Sequence, residues 1–436
     1  MSKYIERYED ALNRVEFLKN AGERLQKVPA MGFTSNFDVV LKWDVRTYNK
    51  ILATFLSEEN SAKEMKSIED FVQITSSYIA KGLGGNFDIL SKNLCSFLNR
   101  EFKSEFSLGG TCAQAAAALG SLGIPSHIHL TDKSGEVCKL LDYPGITSNV
   151  GDKRVAIREI KSEELPIYHY ILQFSKDDEL YLGEEVIKIP CSNRLILFFD
   201  KVQKSVPIQI DYMRYVEKHA TSFSSYLISG FDAIVDIDLM KDKAMTLGEH
   251  LKRVKSKNPN IILYYENAFY MNQEVNAVCL EYWGSQVDIV GLNEEELQMQ
   301  IKTNEKHLSM DCLENILYAL KSFRKHYKVK GVVLHSKDYA LYYGEKLKNI
   351  DIELGLTVGN LMSSTRARTG KYGDVKECEL SLSLQLSSKG LELYKEIEHI
   401  DLEDSLVFVP TKYMEHPKYT IGLGDTFTAG VMTSFI

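Results

Sequence analysis

Paired cysteines, proline-rich tracts, excess basic charge and long apolar runs are all missing from this 436-residue chain, and each absence closes off a class of protein. Its seven cysteines (Cys95, Cys112, Cys138, Cys191, Cys279, Cys312 and Cys378) are scattered, odd in number and without a CxxC pair. That excludes a disulfide scaffold or a zinc knuckle and fits reduced thiols in a cytosol. No Pro-rich linker, low-complexity tract or internal repeat divides the chain, so any lobes must interleave in sequence. Lys and Arg number 52 against 60 Asp and Glu, a net charge of −8 that argues against a general nucleic-acid binder. An anion would have to meet a local site. No uncharged stretch approaches the 18 or so apolar residues of a membrane span, and the charged opening MSKYIERYEDALNRVEF lacks the apolar run of a secretory signal. A cytoplasmic protein without membrane partners is expected.

What is present is the composition of a large folded protein, 44% hydrophobic and 26% charged. Tyr4, Tyr8, Leu12, Val15, Leu18 and Leu25 recur at helical spacing, which predicts an amphipathic N-terminal helix. Val28 to Phe33 reads as a buried strand opening into polar Thr34-Ser35-Asn36. Residues 46–80 are helical in pattern until Gly82, Gly84 and Gly85 break the chain, which marks a separate lobe. Gly109-Gly110-Thr111 leads into an alanine-rich helix, Cys112 to Gly120, suited to close packing on a sheet. Short strand-like runs follow at 126–130, 155–157, 168–172 and 180–182, as in an antiparallel cover. Beyond residue 190, apolar strands (195–199, 261–264, 289–291, 331–334 and 406–409) alternate with helical segments, the signature of a doubly wound parallel sheet.

The most informative stretch is Gly422-Leu423-Gly424-Asp425, followed by Thr426-Phe427-Thr428-Ala429-Gly430. Glycines admit backbone amides to an anion, and the first turn of a helix carries partial positive charge, so the pattern reads as a phosphate cradle. Asp425 beside it suits a general base that accepts the proton of an attacking hydroxyl. Chance alone produces G-x-G-D in roughly one chain in ten of this length, so its context carries the reading. Val287 to Gly291 is an apolar strand that gives way to Asn293-Glu294-Glu295-Glu296. This suits a magnesium-linked carboxylate at a strand end, and equally a helix cap in which Asn293 and Glu296 serve each other. Glu266 ends a second strand and could share the same ion. Asn36 and Asp38, two apart in extended chain, point one way, as a pair for sugar hydroxyls would.

Together these residues resemble the ADP-dependent glucokinases and phosphofructokinases of the ribokinase-like superfamily. The resemblance spans most of the chain and rests on Gly32 to Asp38, Gly109-Gly110, Asn193-Arg194-Leu195-Ile196, Gly291 to Leu297, Val332-Val333-Leu334-His335 and Gly422 to Asp425, in that order. It implies a ribokinase-like α/β core with a smaller α/β lid: core residues 28–38, 109–135 and 190–436, lid residues 39–108 and 136–189, and an N-terminal helix in 1–27. It also implies transfer of the β-phosphoryl group of ADP to a hexose or hexose-phosphate hydroxyl, with Mg²⁺ as cofactor and AMP as product. Asp425 would be the base. Gly422, Leu423, Gly424, Arg194 and Asn293 would hold phosphates, and Glu266 and Glu296 the metal. Asn36, Asp38, Asn86, Gly110, Thr111 and His169 would line the acceptor. The implied partners are a sugar or sugar phosphate and a nucleotide, with the chain a monomer or small homo-oligomer. Two departures stand out: Tyr264 replaces the histidine the family usually has two residues before the matched glutamate, and Asn86 matches neither the glutamate of glucose-using relatives nor the small apolar residue of phosphofructokinases. Lys153, Arg154 and Arg158 are candidates for an acceptor phosphate. The alternatives are an ATP-dependent ribokinase-like carbohydrate or nucleoside kinase, and a nucleotide- or sugar-binding sensor without catalysis.

Overall fold

Every residue of the strands Val28–Gly32, Phe223–Ile228 and Tyr339–Gly344 is buried, which requires a sheet covered on both faces. A computed structural model, which describes residues 2–56, 64–200, 202, 204–270, 272–301, 309–397 and 404–436, shows that sheet. It has ten strands in the order Ser405–Pro410, Tyr339–Gly344, Gly331–His335, Ile289–Asn293, Ile262–Glu266, Phe223–Ile228, Val28–Gly32, Ser126–Ile128, Ile146–Val150, Lys153–Ala156. The run from Gly331–His335 to Ile146–Val150 is parallel throughout, and antiparallel strands finish both edges.

Alternation along these strands produces two cores. Met31, Leu227, Tyr264, Ile289 and Val333 face one side, under the helices Ser2–Ala21, Thr111–Ser121, Ile352–Thr369 and Leu423–Met432. Ala30, Tyr226, Tyr265, Val290 and Leu334 face the other, under Ile210–Lys218, Ile237–Lys257, Gln273–Trp283 and Leu313–Tyr327. Chain order reverses between Val28–Gly32 and Phe223–Ile228, and at such a switch point the carboxyl ends of parallel strands leave a crevice.

A second sheet of five strands, in the order Gly85–Asp88, Asn193–Phe199, Tyr168–Phe174, Asn36–Leu41, Ser104–Gly109, stands over that crevice. Val39, Leu41, Leu172, Leu195 and Leu197 turn to its own helices Val45–Phe55, Ile68–Ala80 and Lys92–Glu101. Cross-strand partners share a face, so the opposite side carries Asp38, His169 and Phe198 in one row and Val40, Ile171 and Ile196 in the next.

Three sheet assignments differ from the sequence reading. Asn193–Phe199, read as a strand of the parallel core, pairs with Tyr168–Phe174 and Gly85–Asp88 in the smaller sheet. Ile146–Val150 and Lys153–Ala156, placed in the cover, extend the large sheet through Ser126–Ile128. Asn36–Leu41 belongs wholly to the smaller sheet, so the crossing falls between Gly32 and Asn36 rather than after Asp38. Short apolar strands look alike in sequence whichever sheet they join, because only pairing partners distinguish them. The strands Phe223–Ile228 and Tyr339–Gly344 were not anticipated.

Candidate functional site

The helix Leu423–Met432 begins at the crevice, and its buried face of Thr426 to Met432 anchors it while Gly422 to Asp425 stay partly exposed. Gly422 turns the chain with φ of +68°, and a Cβ there would meet Gln114 Oε1 at 2.1 Å, so only glycine fits. Thr426 N donates to Gly422 O at 3.0 Å as the first helical bond, which leaves the amides of Leu423, Gly424 and Asp425 without acceptors inside the helix. Their dipoles and the helix axis converge on the exposed turn, a site for an anion.

Asp425 lies within this turn. Gln114 Nε2 donates to its Oδ2 at 2.7 Å, and Gln114 Oε1 accepts from Arg366 Nη2 at 2.9 Å. Arg366 also donates from Nε to the Ile421 carbonyl at 3.0 Å and lies 4.1 Å from the Tyr372 ring centre. Burial pushes the Asp425 carboxyl above its ordinary value, while the Thr111 hydroxyl and the Arg366 charge pull it back. Among the candidates from sequence, Gly422, Leu423, Gly424, Asp425 and Thr111 therefore come together here.

Next along the strand ends stands a carboxylate pair. Asn293 caps the helix Glu294–Gln300: Glu296 N donates to Asn293 Oδ1 at 2.9 Å, and Asn293 N donates back to Glu296 Oε2 at 3.1 Å. The capping reading of these residues is correct. Burial and the neighbouring Glu266 charge push the Glu296 carboxyl up to about 7. Glu266 Oε1 accepts from His335 Nε2 at 3.0 Å, whereas its Oε2 is buried without a hydrogen-bond partner. Burial works to lower the His335 imidazole, but the Glu266 contact and the charges of Glu296 and Asp425 raise it overall. Tyr264 is wholly buried, its hydroxyl sharing with Glu266 Oε2 the space that a Cβ at Gly291 would fill. Glu266 thus takes its imidazole from His335, two strands away, where the sequence comparison pointed to position 264.

Across the crevice, Asn36 Nδ2 donates to Asp38 Oδ1 at 2.5 Å, and both are buried. Burial raises Asp38 to about 6, against the pull of His169 and Asn36. His169 bridges two acids, with Asp200 Oδ2 at 3.2 Å and Asp38 Oδ1 at 4.0 Å. Register puts Asn86 beside Ile196 and Arg194 beside Gln173, on the face that carries Asp38 and His169. Arg194 is exposed and its backbone N donates to Asn193 Oδ1. Gly110 joins this sheet to the helix Thr111–Ser121 below Asp425. Lys153 and Arg154 sit on the outer edge strand of the large sheet instead, and Arg158 beside Asp142, so none belongs to the smaller sheet. Ile421, Val40 and Ile171 pack together, which brings the chain before the glycine turn against the smaller sheet.

The profile of the ADP-specific phosphofructokinase/glucokinase conserved region matches residues 27–434. The chain belongs to this family. Membership makes it an ADP-dependent sugar kinase, a phosphotransferase acting on an alcohol. Among curated relatives it is similar to an ADP-dependent glucose/glucosamine kinase of Pyrococcus abyssi, 24% identical with 85% of each chain covered. It is also similar to an ADP-specific phosphofructokinase of Pyrococcus furiosus, 20% identical over 93% of this chain and 96% of the relative. A solved phosphofructokinase of Pyrococcus horikoshii with AMP shares the fold, with a TM-score of 0.78, 18% identity and coverage of 94% and 97%.

Two participants escaped the sequence reading. Gln114 was seen as one residue of an alanine-rich helix, and Arg366 carried no motif. Only the tertiary fold brings them, 252 residues apart, to one carboxylate. His335 was noted only as part of the family pattern. Among the described residues no group of three or more His, Cys, Asp or Glu side chains is arranged to hold a metal, and no helix is long and apolar enough to cross a membrane.

Proposed function

We propose that the chain transfers the β-phosphoryl group of ADP to a hydroxyl of a hexose or hexose phosphate, with Asp425 as the base. The observation that carries this is the placement of Asp425 in the first turn of Leu423–Met432, near enough to the hydrogen-bonded Asn36 and Asp38 pair for its charge to act on Asp38. The acceptor O–H gives its proton to Asp425, the oxygen bonds to the β-phosphorus, and the bond from that phosphorus to the bridging oxygen breaks to leave AMP. The amides of Leu423, Gly424 and Asp425 stabilise the charge that spreads over the phosphoryl oxygens. Asn36, Asp38, His169 and Asn86 orient the acceptor, with Gly110 and Thr111 at its floor, and Arg194 and Asn293 serve phosphate groups.

Glu266 and Glu296 would hold the Mg²⁺. Two buried, mutually repelling carboxylates with an unpartnered Glu266 Oε2 fit a hard cation that takes its other ligands from phosphates and water. When bound, such an ion neutralises phosphate charge. The seven cysteines carry no disulfide, which supports a cytoplasmic location, and a monomer or small homo-oligomer suffices because one chain supplies the whole site. The test is AMP release from ADP and Mg²⁺ with glucose, with fructose 6-phosphate and with no acceptor. AMP formed only with an acceptor supports the proposal, and equal transfer from ATP or none from ADP overturns it.

A further inference from the structure

We propose that Gln114 is a positioning residue for the base, its side-chain amide locked by Arg366 so that it donates one hydrogen bond to the carboxylate of Asp425. The inference rests on the reading of Asp425 as base and deepens it. A glutamine amide in isolation can face either way, but a guanidinium only donates. With Arg366 Nη2 at 2.9 Å, Gln114 must turn its carbonyl oxygen to the arginine, and its N–H₂ then falls on Asp425 Oδ2 at 2.7 Å. The orientation is determined by chemistry rather than by choice of rotamer.

The arginine is itself held. It donates to the carbonyl of Ile421, the residue before the glycine turn, and its plane is flanked by Tyr372 at 4.1 Å and Tyr419 at 5.4 Å. Gln114 and Arg366 are 5% and 3% exposed, so water does not compete for these bonds. One guanidinium thus ties the backbone of the anion turn to the side chain of the base, and the amide stands between the two charges. A direct Arg–Asp pair would hold the carboxylate in a bidentate grip and make it a poor proton acceptor. An interposed amide fixes its direction while leaving the second oxygen to other partners.

The consequence for proton transfer has a definite sign. A donor to a carboxylate favours its charged form, so loss of the amide raises the pH at which Asp425 becomes a base. Other groups acting on this carboxylate are Arg366, Glu266, His335, Asp38, Cys112 and Tyr372, and none changes in the variants proposed.

The experiment compares Gln114→Met and Gln114→Glu with the parent enzyme. Methionine keeps the volume with no donor and only a weak sulfur acceptor. Glutamate keeps the volume and the bond to Arg366 but sets a like charge against Asp425. The expected result is a kcat lowered about 10- to 100-fold in Gln114→Met, with KM for ADP within about twofold. The acid limb of the pH profile should move to higher pH, and further in Gln114→Glu. A purely structural role predicts the reverse order, because glutamate would strengthen the Arg366 contact. A Gln114→Glu enzyme with kcat within about threefold of the parent and an unmoved acid limb would overturn the proposal. If the parent forms no AMP with any acceptor, the functional reading has failed instead. Positioning is then read by ¹³C-carboxyl titration of Asp425, assigned by its loss in Asp425→Asn: an upward shift in both variants supports the role, and no shift overturns it.

Discussion

At the scale of single residues, the site separates groups that touch the reaction from groups that hold them. Asp425 stands where burial already favours its neutral form, so its charge contributes nothing to folding. Asp425→Asn should therefore lower turnover by about 10²- to 10⁴-fold while the melting temperature stays level or rises, measured by AMP release and by thermal unfolding of the same preparation. Near-normal turnover would remove Asp425 from the role of base. Gly422 was legible as a residue needed for close backbone approach, and the structure adds a reason from beyond the chain nearby. The space denied to a side chain there is filled by Gln114 and Arg366. The sequence pattern named the turn but could not name what presses against it.

At the scale of elements, one helix start has two duties. The reciprocal bonds between Asn293 and Glu296 are an N-terminal capping box, worth about 1 kcal/mol of stability, and they also orient a carboxylate beside Glu266. Asn293→Ala should cost about 1 kcal/mol in urea unfolding and, in addition, raise the Mg²⁺ concentration needed for half-maximal turnover. A loss of stability with unchanged Mg²⁺ dependence would show that Asn293 is a cap alone. Capping residues are readable from sequence because their partners lie three positions apart. The pairing of Glu266 with His335 was not, since it joins strands separated by Ile289–Asn293 and depends on sheet order.

Across the whole molecule, two sheets meet at a crevice lined by carboxyls that burial pushes upward, Asp38 to about 6 and Glu296 to about 7. Both bind protons more tightly folded than unfolded. The stability they contribute is complete below about pH 4, near their ordinary values, and is lost as pH rises to about 7. The ligand-free enzyme should therefore lose melting temperature from pH 5 to pH 8 through these groups, and an Asp38→Asn, Glu296→Gln double variant should show a flatter profile. Parallel profiles would refute the assignment. The chain alone determined the α/β class, the glycine turn that opens a helix, the aspartate beside it and the list of acids near the crevice, because glycine conformation, helix dipoles and strand alternation act over a few residues. Tertiary structure decided which sheet each short strand joined, which histidine serves Glu266 and which amide orients Asp425. Those outcomes depend on strand pairing and on contacts between segments 69 to 311 residues apart, for which local sequence carries no period and no spacing.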